Sequence, residues 1–188
     1  MIIYDFHPDN IPEAYLKAIG RIMLCAAQAE DCVRTAIGVF LKIDNIETLA
    51  LTTQLSTPLK DKIIRAVAEL NSASASMVDD LDDILDKINT GMERRNAVAH
   101  RSLCKHPETN EILIWKEKVS GSIDLELKPI TVEELNEIAE NLLEASHELT
   151  LFLRKVGGPR FREGLLREPL KRTKVARAER RAQHGEQY

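Results

Sequence analysis

Residues 11–42 read IPEAYLKAIGRIMLCAAQAEDCVRTAIGVFLK. Pro12 stands where a first helical turn tolerates it, and no further proline follows in this stretch, so one helix is predicted from about Pro12 to Lys42. Its apolar residues, among them Tyr15, Ile19, Ile22, Cys25, Val33, Ile37 and Phe40, cover more than a narrow stripe. Such a helix is expected to be buried on two sides, one against its own core and the other against a second copy or a second helical layer. A mainly α fold and a homodimer are therefore the first expectations.

The chain beyond this helix is punctuated clearly. A short segment around 46–55 leads to STPLKDKIIRAVAEL, where Ser56 or Thr57 caps, Pro58 opens, and Leu59, Ile63, Ala66, Val67 and Leu70 share a face. The small polar run 71–76, NSASAS, is a link. A third helix is predicted from about Met77 to His100. Val78, Leu81, Ile84, Leu85, Ile88 and Met92 recur at helical spacing there, with aspartates on other faces and Gly91 as a weak point. Between Arg101 and Lys128 the pattern changes to alternation, in EILIWKEKV and SIDLELK, with an earlier turn at HPETN. A β-hairpin or small ribbon is expected. Thr131 and Glu134 form a capping box that opens a last helix running to about Val156, and Gly157, Gly158 and Pro159 end it.

The fold expected is thus a helical bundle over residues 1–156 with a β-hairpin inserted between the third and last long helices, followed by a basic tail, 157–188. The 188 residues and 44% hydrophobic content suit one domain with one core, and aromatics at 4% favour packed helices over a sandwich of short strands. No apolar run approaches the roughly 18 residues of a membrane span, and the amino terminus lacks a signal pattern, so a cytoplasmic location is expected. Cys25, Cys32 and Cys104 offer neither a disulfide framework nor a metal knuckle. The net charge of −4 is uneven. Residues 159–188 hold nine basic and four acidic residues, while the rest holds 17 basic and 26 acidic. Affinity for a polyanion must come from local patches or from the tail, which reads as a solubilising end, an RNA-binding arm or a segment that folds on a partner.

The third helix ends in Glu93-Arg94-Arg95-Asn96-Ala97-Val98-Ala99-His100. At about 100° per residue, Arg95, Asn96 and His100 fall within about 140° of one another, with Asn96 one turn before His100. That face offers an imidazole for proton transfer, a guanidinium for phosphate charge and an amide to orient either. These are the parts that cleave RNA without a metal: a base takes the 2′-OH proton, O2′ attacks phosphorus, and a cation stabilises the charge gathering on the phosphate.

Here the sequence resembles the HEPN family of helical-bundle proteins, in which an Arg, usually followed by a polar residue, precedes a His by a few positions. Arg95, Asn96 and His100 carry the match. The long first helix with Glu30 in its second half and the amphipathic last helix extend it, less specifically, over residues 1–156. The resemblance implies a metal-independent endoribonuclease without a cofactor, a toxin or antiphage effector whose two protomers pack their motif helices into one composite cleft. His100 would be the acid or base, Arg95 the phosphate ligand and Asn96 their positioner, with Glu30 a candidate contact. RNA would be the substrate, and an antitoxin or other protein a possible partner. The competing expectation is a non-catalytic dimerisation or protein/RNA-binding module, since many family members are of that kind.

Other candidates have plainer readings. His100, Cys104 and His106 lack a fourth ligand for zinc. The aspartates from Asp79 to Asp86 read as a solvated helix face, Cys25 and Cys32 as core packing, and His147 as a surface position. Trp115 reads as packing on a half-buried strand, with base stacking as the alternative.

Overall fold

The computed structural model describes residues 4–70, 75–119 and 123–157. Five α-helices follow a single 3-10 turn at Pro8–Asn10: α1 Glu13–Leu41, α2 Asn45–Thr52, α3 Thr57–Leu70, α4 Ala75–Ala99 and α5 Val132–Gly157. Three strands stand between α4 and α5: β1 Leu103–Lys105, β2 Ile112–Val119 and β3 Ile123–Pro129. The fold is mainly helical with a small antiparallel sheet. Among the described residues no helix is long and apolar enough to cross a membrane. Apart from Gly157, the basic tail lies outside the described residues.

The ends of α1 fall within a residue of the expectation. Pro12 is its N-cap and Lys42 its C-cap, the latter left-handed at φ 58° with its N–H donated to the carbonyls of Gly38 and Val39. The segment after it is a helix rather than an undefined link. Asp44 Oδ1 accepts from the amides of Ile46 and Glu47, both at 2.9 Å, while the Asp44 amide donates to Glu47 Oε2 at 3.0 Å. This capping box opens α2. Thr48 then packs so tightly on α1 that a Cβ at Gly38 would collide with its hydroxyl.

Helix α4 crosses α5 at Gly91, where a Cβ would lie 2.6 Å from Leu142 Cδ2 and 2.8 Å from its Cγ. The glycine that weakens the helix in isolation is therefore what admits a buried leucine from its neighbour. The core is one cluster whose fully buried members include Ile22, Ile37, Leu85, Ile88, Leu135 and Leu149. Each such side chain contributes on the order of 1.5–3 kcal/mol of burial. The expected capping box of α5 is present: the Glu134 amide donates to Thr131 Oγ1 at 3.1 Å and the Thr131 amide to Glu134 Oε2 at 2.8 Å.

The expected hairpin is only part of a three-stranded sheet of order β1-β2-β3. Leu103, Cys104 and Lys105 pair antiparallel with Ile114, Leu113 and Ile112, and HPETN is the turn between them. His106 holds that turn, its Nδ1 accepting from the amides of Glu108 and Thr109 at 3.2 Å. Asn110 sits at φ 59°. On the outer edge Asp5 exchanges backbone hydrogen bonds with Lys105 at 3.2 and 2.8 Å, so the amino-terminal segment continues the sheet.

If the Gly91 notch matters as described, Gly91→Ala lowers stability by about 1–2 kcal/mol, overpacking outweighing the better helix propensity of alanine. Leu142→Ala alone costs about 2–5 kcal/mol. In the double variant the Gly91 cost disappears, and urea unfolding of the four proteins measures that coupling. Additive losses would place the source of the strain elsewhere.

Candidate functional site

Helix α4 carries Arg95 and Asn96 in its last turn, and His100 follows it directly, its amide donating back to the Asn96 carbonyl at 3.1 Å. The chain then turns into β1, and the Trp115 amide of β2 returns to the Ser102 carbonyl at 2.9 Å. Between helix end and sheet lies an open groove of about 440 Å³ lined by Glu93, Asn96, Ala97, His100, Arg101, Ser102 and Trp115. Asn96 and His100 thus face one space. Arg95 is not part of that lining and stands behind Asn96.

The position of Arg95 is fixed from two directions. Its Nη2 donates to Glu30 Oε1 of α1 at 3.0 Å, and its Nη1 donates to Asn96 Oδ1 at 2.9 Å. The Arg95 side chain is 20% exposed, and its buried Nε–H has no acceptor among the described residues. With Asn96 Oδ1 turned to Arg95, the amide NH₂, for which no acceptor stands among the described residues, is the donor Asn96 can offer to a ligand. His100 is exposed, and its imidazole has no hydrogen-bond partner among the described residues. The arrangement supplies an accessible proton acceptor, an amide donor beside it, and a cation held by a carboxylate from another helix. Glu30, singled out from the sequence, does reach Arg95.

Ser102 joins the groove from the turn after His100 and Trp115 through β2, and Phe6 packs edge-on against Trp115 with ring centroids 5.9 Å apart. Charge in the groove is mixed, with Arg101 and Glu93 both on its wall. The aspartates of α4 prove less idle than a solvated face. Arg65 of α3 donates to Asp61 and to Asp86, and Asp82 Oδ1 lies 2.6 Å from its Nη1 as an ion pair without hydrogen-bond alignment. Burial works against the Arg65 charge, but the hydrogen bonds to Asp61 and Asp86 and the field of Asp61 and Asp82 outweigh it and raise its pKa.

His100, Cys104 and His106 are not brought together as ligands. Cys104 is fully buried in β1, and His106 spends Nδ1 on its own turn while its ring meets Tyr4 edge-on at 5.6 Å. No group of three or more potential metal ligands stands together among the described residues. His147 is exposed on α5. Comparisons of the chain with protein-family profiles, with curated proteins and with solved structures return no match.

Cys25 is buried in the core, and burial pushes the thiols of Cys32 and Cys104 up in pKa. For Cys32 the hydrogen-bonding contact with Thr150 opposes that rise in part and the charge of Asp31 adds to it. Less thiolate at pH 8 means slow chemistry. Iodoacetamide at pH 8 should therefore label the native chain at all three cysteines far more slowly than the urea-unfolded chain, as read by intact mass. Rapid labelling of native Cys32 would contradict this packing.

Proposed function

We propose that this chain is a metal-independent endoribonuclease of HEPN type, acting as a homodimer on single-stranded or loop RNA. The observation that carries the reading is the placement of Asn96 and His100 on one open groove, with Arg95 locked behind them by Glu30. The resemblance to HEPN proteins extends the proposal to a toxin or antiphage effector, working with an antitoxin or another protein partner.

In this chemistry His100 takes the proton of a ribose 2′-OH. The O2′–P bond forms as the P–O5′ bond breaks, and the departing 5′-oxygen receives a proton, from the partner's His100 if the cleft is composite. The products are a 2′,3′-cyclic phosphate and a 5′-hydroxyl. Arg95 stabilises the negative charge on the phosphate oxygens, and the Asn96 amide donor fixes the phosphate against His100. Glu30 is a positioning residue: it keeps the guanidinium from swinging into solvent. Unstacked RNA suits the groove, because an aromatic residue, Trp115, is among its lining and a duplex would hold its bases away from it.

Two observations favour a second reading, a non-catalytic dimerisation or protein/RNA-binding module. Glu93 lines the groove and Glu30 already neutralises Arg95, so the local field is less positive than polyanion binding favours.

Purified protein incubated in excess EDTA with 5′-labelled tRNA, mRNA and ribosomal RNA separates the two. The ribonuclease produces 2′,3′-cyclic phosphate ends, with losses of about 10²–10⁴-fold in His100→Ala and about 10²–10³-fold in Arg95→Ala, both still folded by circular dichroism. Intact RNA in every lane with wild-type protein moves the conclusion to the module.

A further inference from the structure

One face of α1 is covered by nothing among the described residues, although much of it is apolar. Leu16, Gly20, Leu24 and Ala27 are exposed along it, Leu24 to 74%, and Met23 is half-buried at its margin. At about 100° per residue the four exposed positions lie within ~80° of one another. Gly20 is the telling member. Among the described residues a Cβ there would meet nothing within 4 Å, so their packing gives no reason for glycine in the interior of a 29-residue helix, where it is the weakest residue after proline. Close approach of another backbone does give one.

The charges on the same face say which backbone. Glu13 and Lys17, ion-paired at 2.8 Å, stand on the amino-terminal side of Leu24, and Asp31 and Arg34, also paired at 2.8 Å, stand on the carboxy-terminal side. Lys17 precedes Leu24 by the same seven residues by which Asp31 follows it. We infer that a second copy of the chain docks here, α1 antiparallel to α1, about a two-fold axis at Leu24. In that register Lys17 faces the partner's Asp31 and Glu13 comes opposite the partner's Arg34, while Leu24 meets its own symmetry mate and Gly20 lets the helices close. A parallel pairing sets like charge on like charge. An isologous contact is self-complementary in just this way, every contact occurring twice.

The docking rests on α1 alone and stands whether or not the groove cleaves RNA. It does have a consequence for the groove. Glu30 lies six residues from the axis, so the two Glu30–Arg95 pairs come about 18 Å apart along the paired helices.

Sedimentation velocity on the full chain in reducing buffer tests the register, with circular dichroism to confirm folding of each variant. The wild type is expected to be a dimer in the micromolar range, and Leu24→Arg to raise the dissociation constant at least ~30-fold. Lys17→Glu and Asp31→Lys each weaken the dimer, and together they restore it. The two positions are about 21 Å apart in one chain, so rescue can arise only across the interface. A monomeric wild type, a dimer indifferent to Leu24→Arg, or a double variant no tighter than the singles would overturn the inference, and none of these results depends on RNA cleavage.

Discussion

The close approach of α1, α4 and α5 is the constraint on which the remainder depends. Helix α5 is the most extensive neighbour of both α1 and α4. The buried face of α1 is largely small, with Ala18, Ala26, Ala29 and Ala36, and α5 adds Ala139 and Ala145. Gly91 then opens α4 to Leu142. Helices packed so closely bring polar side chains at their margins within reach of one another: Arg21 with Glu140 at 3.3 Å, Arg94 with Glu137 at 3.0 Å, Lys87 with Glu148 at 2.7 Å and Arg95 with Glu30 at 3.0 Å. Each exposed pair is worth little on its own. They sit at the rim of the apolar cluster, whose packing sets the rotation and register of the three helices.

That register is what makes a site out of the end of α4. The helix stops at Ala99, the chain turns into β1, and β2 comes back beside Ser102, so a helix terminus, a loop and a strand enclose one groove. The packing of α1 supplies the carboxylate that holds Arg95, while the sheet supplies Trp115. The body of the protein is acidic overall, and the cations nearest the groove are therefore local: Arg95 behind Asn96 and Arg101 on the wall. The selectivity for RNA proposed above comes from the nucleophile, which only ribose carries, and from the accessibility of an unstacked strand.

Much of this was legible in the sequence, for physical reasons that differ by element. The long helices announce themselves by apolar spacing and by their caps, Pro12 for α1 and the Thr131–Glu134 pair for α5, because those signals are local. Helical geometry alone puts Asn96 one turn before His100, whereas Arg95, expected on the same face, lies off the groove lining and meets Glu30 of α1. Asp44 and Glu47 carried an equally local capping signal for α2, masked by the brevity of the helix. Strand β1 has three residues, too few for alternation to show, and its existence depends on pairing with residues across a turn. The value of Gly91, the capture of Arg65 by Asp82 and Asp86, and the arrival of Trp115 at the groove are all tertiary. Local periodicity and capping signals report none of those contacts, because each depends on how separate elements pack.

The most direct test of the proposed site is whether the groove binds RNA at His100. The chain has a single tryptophan, so its indole Nε1–H gives one unambiguous NMR signal on the wall opposite the motif. Titration with a 2′-O-methyl oligonucleotide, which cannot be cleaved, should shift the Trp115 indole and the His100 ring resonances together and saturably. Both shifts should weaken in Arg95→Ala. If saturating oligonucleotide leaves the His100 and Trp115 signals where they stand in the free protein, the groove is not an RNA site.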